Sequence, residues 1–116
     1  MSLTQSDKDK LARFVGLIPY LSISAEYISW LWATGEGWFC DYADWNPAEN
    51  PAHGDLVLQK IAEWHDLEIE KFGPWWVGVW RKGSMETMAD AHSEGNTLQE
   101  AVCQAALEII KREQAK

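Results

Sequence analysis

Leu67-Glu68-Ile69-Glu70-Lys71-Phe72-Gly73-Pro74-Trp75-Trp76-Val77-Gly78-Val79-Trp80 is the stretch whose reading decides the fold. Apolar and charged side chains alternate from Leu67 to Phe72, the period of a half-buried strand. Gly73-Pro74 makes a turn. Trp75 to Trp80 is filled with aromatic and β-branched residues, which favour a second strand. Strands joined by so short a turn pair antiparallel. In the second strand Trp75, Val77 and Val79 face one side, and Trp76, Gly78 and Trp80 the other. With bulk on both faces, either helices cover both sides or one face is an open aromatic platform. Gly78 would then leave a shallow slot between the rings of Trp76 and Trp80.

Working outward, Arg81-Lys82-Gly83-Ser84 is a second turn, residues 85–92 form a weaker third strand, and Gly95-Asn96 breaks the chain. Thr97-Leu98-Gln99-Glu100 is a capping box opening a last helix, whose Ala101, Ala105 and Leu107 to Ile110 give a packing face. Lys111 and Arg112 complement the dipole at its end. On the other side, Asp55 caps a helix with Leu58, Ile61, Ala62 and His65 on one face. Before it, residues 38–54 mix turn formers (Asn46-Pro47, Asn50-Pro51, His53-Gly54) with large aromatics. A flexible linker is polar, so this irregular segment is expected to be packed down through Trp38, Phe39 and Trp45. Ser6 caps a first helix with a stripe of Leu11, Phe14, Val15 and Ile18, closed by Pro19. Ser24 caps a second, with Ile28, Leu31 and Trp32 on a face, ended by Gly35 and Gly37.

The expectation is an α+β fold: a three-stranded antiparallel sheet packed with two N-terminal helices, one before the sheet and one C-terminal. It forms a single domain, 1–116, with 1–37 a helical N-terminal extension and 38–116 an α-β-β-β-α unit. A chain of 116 residues, 47% apolar, buries roughly two-thirds of its unfolded surface without disulfide or metal. Cys40 and Cys103 are expected as free thiols in a reducing cytoplasm. No segment nears the ~20 apolar residues of a membrane span, and the N-terminus does not read as a signal peptide.

The charge is uneven. Residues 26–70 carry ten acids against Lys60 alone, so the middle of the chain holds the whole excess behind the net charge of −8. Such a field repels phosphate backbones and attracts basic surfaces, which argues against direct nucleic-acid binding. Asp41, Asp44 and Glu49 stand near Trp38, Tyr42 and Trp45. Together with Trp76 and Trp80 they are the candidate partner-binding residues: an acidic rim around aromatic anchors, suited to Arg and Lys of a partner. The same features also fit core packing and a solvated surface. Glu63, Asp66 and Glu70 would share a helical face, but Glu68 and Glu70 fit better on the strand, opposite Leu67 and Ile69. His53, His65 and His92 show no metal-ligand spacing, and no nucleophile motif or phosphate loop appears. Neither catalytic residue, cofactor nor metal is expected.

Trp45-Asn46-Pro47, the helix from Asp55 to about Asp66, Trp75 to Trp80, and Thr97-Leu98-Gln99-Glu100-Ala101-Val102-Cys103-Gln104-Ala105-Ala106-Leu107 together resemble the phage ABA-sandwich family. The resemblance covers roughly residues 38–110. It implies a phage or prophage origin and helices on both sides of a sheet, and no activity. The resulting expectation is a non-enzymatic, acidic protein-binding module that docks on a basic, nucleic-acid-binding surface of a host protein. Its sharpest version is a host-defence inhibitor of the anti-CRISPR type. The alternative is a phage structural or assembly protein acting through self-association as a homo-oligomer.

Overall fold

The computed structural model describes residues 3–23, 28–83 and 91–114. The chain is α+β, but its strands form two three-stranded antiparallel sheets rather than one. The first sheet is β1 (Ile18–Ile23), β2 (Ile28–Thr34) and β3 (Gly37–Asp41), and the second is β4 (His65–Lys71), β5 (Trp75–Arg81) and β6 (Ala91–Gly95). Helix α1 (Gln5–Phe14) precedes the first sheet, α2 (Pro51–Trp64) joins the two, and α3 (Leu98–Gln114) closes the chain.

The expected second N-terminal helix is strand β2. Its Ile28, Leu31 and Trp32 fit a helical stripe, but the segment Ile28-Ser29-Trp30-Leu31-Trp32-Ala33-Thr34 is dense in aromatic and β-branched residues, which pack better on a pleated surface. Leu31 and Trp32 are both buried, on opposite faces. The proposed cap, Ser24, lies outside the described residues. The hairpin to β3 turns at Gly35-Glu36, and a bulge after Trp32 leaves Phe39 the extra residue. Residues 37–41 are therefore a strand, not irregular chain. The division at 37/38 falls inside β3, and 1–37 is not a helical extension.

Helix ends also differ from expectation. Thr4, not Ser6, caps α1: its hydroxyl accepts from Asp7 N–H at 3.1 Å, and Asp7 returns the bond to Thr4 N–H. Gly16 ends the helix in the left-handed region (φ 91°), with Gly16 N–H on the Arg13 carbonyl and Leu17 N–H on that of Ala12. This is a Schellman closure, and Pro19 falls in β1. Asn50, not Asp55, caps α2, accepting from Ala52 and His53 N–H, with Pro51 at the first helical position. The buried face of α2 is accordingly His53, Val57 and Ile61, while Ala62 is exposed and His65 opens β4. Thr97 caps α3 as expected, with Glu100 N–H donating to Thr97 Oγ1 at 3.2 Å, while the Glu100 carboxylate accepts from the N–H of Asn96, one residue before the cap, at 2.9 Å. The third strand begins at Ala91, so most of residues 85–92 lie outside the described residues.

The helices contact one another and the β5–β6 side of the second sheet. Val77 and Val79 of β5 join Leu11 of α1, Val57 and Ile61 of α2, and Val102, Ala105 and Ile109 of α3 in one core. The helices thus gather on one face of that sheet rather than on both. The small residues of α3 allow close approach. At Gly95 a Cβ would stand 2.6 Å from the backbone nitrogen of Ala101, so β6 and the start of α3 touch at the backbone. The first sheet projects from this body. The Cα radius of gyration is 15.4 Å in a molecule of 56 × 30 × 24 Å, against about 13 Å for a compact chain of this length.

Candidate functional site

The outer face of the second sheet, turned away from the helices, is where the acid and the tryptophans meet. The register sets Asp66 opposite Trp80, Glu68 opposite Gly78 and Glu70 opposite Trp76. On the far side of β5, Glu94 stands opposite Trp76 and His92 opposite Gly78. Directly opposed side chains lie about 4.5–5.5 Å apart at Cβ, so each indole has carboxylates beside it. Trp76 and Trp80 are half-buried, whereas Asp66, Glu68, Glu70, His92 and Glu94 are exposed.

The slot expected between the two rings is absent. Trp76 folds over Gly78, and a Cβ there would come within 2.5 Å of the far edge of the indole. The same ring stacks against His92, with centroids 6.4 Å apart and planes at 26°. Gly78 is the glycine that lets a tryptophan lie flat on the sheet.

The electrostatics are one-sided. Among the described residues no lysine or arginine pairs with Asp66, Glu68, Glu70 or Glu94; the ion pair Lys60–Glu63 lies on α2. Lys71 points to the inner face, 5.4 Å over the Trp75 ring. Partial desolvation, followed by the charge and hydrogen bond of Glu68, raises the Glu70 carboxyl above its ordinary range. Among the described residues no group of three or more His, Cys, Asp or Glu is placed to hold a metal. Indole faces beside carboxylates suit guanidinium and ammonium groups, through cation–π and charge-assisted hydrogen bonds together.

The remaining predicted residues do not join this face. Trp45 is fully buried and its indole N–H donates to the Lys8 carbonyl at 2.8 Å. It stacks on His53 at 5.0 Å and meets Phe39 edge-on at 6.1 Å. Its ring belongs to the core and is closed to a partner. Tyr42 stacks on Trp32 at 5.3 Å, and its hydroxyl donates to the Asp9 carboxylate at 2.7 Å, which raises its pKa. Glu49 accepts from the Asn46 amide, while Asp41 and Asp44 are exposed. Trp38, expected to pack down, is 66% exposed. With Tyr20, Leu31 and Asp41 it lines a groove of about 610 Å³ on the first sheet. The rim read from residues 38–49 is therefore split: its aromatics turn inward or onto the first sheet, and its acids stay at the surface.

The sequence-derived binding set lacks Glu68 and Glu94, and Asp66 and Glu70 enter the sequence reading only as a possible helical face with Glu63 or, for Glu70, as a strand residue. The alternation of Leu67-Glu68-Ile69-Glu70 against Trp76-Gly78-Trp80 carries the signal for Asp66, Glu68 and Glu70, once the hairpin register is known. Nothing in the weak third strand points to Glu94 or His92.

No family model, no curated protein and no solved structure matches the chain. Among the described residues no helix is long and apolar enough to cross a membrane. The function therefore rests on the geometry of the chain itself.

Proposed function

We propose that this protein is a non-enzymatic binding module whose docking surface is the outer face of the second sheet. The observation that carries this reading is two half-buried tryptophans flanked by Asp66, Glu68, Glu70 and Glu94, none ion-paired among the described residues. Such a face suits a partner presenting arginine and lysine: the rings supply contact area and the carboxylates supply orientation and fast encounter. A basic, nucleic-acid-binding surface of a host protein is the partner class. If the chain is of phage origin, occluding that surface would inhibit host defence in the anti-CRISPR manner.

The test uses an arginine-rich peptide as probe, titrated against the folded protein at rising salt. Affinity should fall with ionic strength. Glu68→Lys with Glu70→Lys should weaken binding at least tenfold, since like-charge contacts cost several kcal/mol. Trp76→Ala should weaken it comparably, and Asp44→Lys should matter little. Binding indifferent to the Glu68 and Glu70 reversals would refute the assignment of this face.

A further inference from the structure

The proposed function leaves the first sheet unused, and that sheet shows the molecule's other anomaly. Ile18, Tyr20, Leu21 and Ile23 of β1, with Trp30 beside Leu21 on β2, are between 38% and 70% exposed. The register puts Ile18 and Tyr20 on one face, and Leu21, Ile23 and Trp30 on the other. β1 is also an edge: the strand order is β1-β2-β3, so its outer side has no partner among the described residues. Pro19 removes a single donor near its start and leaves Tyr20 to Ile23 free to pair. An exposed apolar edge is a template for another strand.

We infer that β1 pairs antiparallel with β1 of a second copy, joining two three-stranded sheets into a continuous six-stranded one about a two-fold axis.

Charge selects this occupant. β1 and β2 contain no acidic or basic residue among Ile18–Ile23 and Ile28–Thr34. A basic partner would find no counter-charge there. Two molecules of net charge −8 repel over most surfaces, and these strands are where they can meet without opposing like charges. A two-fold contact uses the same patch on both chains, so one strand apolar on both faces suffices.

The test is the mass of the folded full chain by light scattering across a dilution series. Two chains are expected, with dissociation on dilution. Tyr20→Lys with Ile23→Lys places ammonium groups across the axis and should weaken the dimer by about a hundredfold or more, with far-UV circular dichroism unchanged. Should that variant misfold, Ser22→Cys gives an independent readout. Pairing of Leu21 with Ile23 of the second copy keeps clear of Pro19 and puts Ser22 opposite its own symmetry mate, so under mild oxidation this variant should form a covalent dimer, and the buried Cys40 and Cys103 do not compete. A single-chain mass at all concentrations, a dimer that persists in the folded lysine variant, or a Ser22→Cys protein that stays uncrosslinked would each overturn the inference. The arginine-peptide assay reads the other sheet, so the two readings fail separately.

Discussion

Replacing Trp45 separates a structural tryptophan from a binding one. The ring is fully buried, and an aromatic side chain of this size takes roughly 200 Å² out of water. At about 25 cal/mol per Å² the transfer contribution is about 5 kcal/mol, an upper figure because the unfolded chain already covers part of it. Trp45→Ala would also leave a cavity between Phe39 and His53 and remove the indole hydrogen bond that ties residue 45 to the Lys8 carbonyl of α1. Large aromatic truncations cost about 3–5 kcal/mol, comparable with the ~5–15 kcal/mol that hold a domain of this size folded. Trp45→Phe keeps a ring and loses the indole N–H bond, worth about 1 kcal/mol, with some packing. About 2 kcal/mol is expected. Urea unfolding followed by circular dichroism measures both. The alanine variant should be largely unfolded or show a collapsed midpoint, and the phenylalanine variant should be intermediate. A loss below about 1.5 kcal/mol for Trp45→Ala would show that the ring is not the core anchor described.

Gly78→Ala should spare the fold and disturb the site. The added Cβ meets only the far end of the Trp76 ring, so the indole swings off the sheet at a cost of about 1 kcal/mol or less. Near-UV circular dichroism should change, and affinity for the arginine-rich peptide should drop while the melting temperature moves by a few degrees at most. Burial lowers the His53 pKa, with Asp44 partly opposing, and its Nδ1 accepts the Asn46 N–H at 3.1 Å, which requires a neutral ring. The unfolded state thus binds a proton more readily, and stability should fall as pH drops below about 6.5. The decline should level off under the depressed folded value, and His53→Gln should flatten the melting-temperature profile between pH 7 and 5. Burial raises the thiols of Cys40 and Cys103 to about 11 and about 12, with acidic neighbours adding to each. Iodoacetamide at pH 8 should modify neither in the folded protein and both in urea, and an adduct on native Cys103 by mass spectrometry would contradict the packing of α3.

The β4–β5 hairpin and the Thr97–Glu100 box were legible because each is a local pattern with a local cause: alternation around Gly73-Pro74, and a hydroxyl three residues before a carboxylate. The second sheet was half legible, since residues 85–92 carry no strong alternation. The first sheet was not, because Ile28, Leu31 and Trp32 fall at i, i+3 and i+4, a helical spacing, while β2 buries Leu31 on one face and Trp32 on the other and so leaves no two-residue alternation to read. Both sheets are built from consecutive strands, so once β2 reads as a helix neither β1 nor β3 has a strand to pair with in the sequence reading. The site followed the same logic. Trp76 and Trp80 fall on the candidate face because strand parity is simple to read. Trp45 misleads because an aromatic in a loop looks the same whether it faces solvent or core, and only the Lys8 carbonyl and the His53 ring decide.

The division of six strands into two sheets has a consequence for motion. β1, β2 and β3 are consecutive in the chain and, among the described residues, pair only with one another, so their hydrogen bonds can open without breaking those of β4, β5 and β6. Amide exchange in such a unit proceeds by partial opening rather than global unfolding. Protection should therefore form two tiers, lowest at Tyr20 to Ile23 and rising to the full unfolding free energy at Val77 and Val79. Pairing of β1 with a second copy would lift the lower tier toward the upper, so the exchange rates of a few amides report assembly.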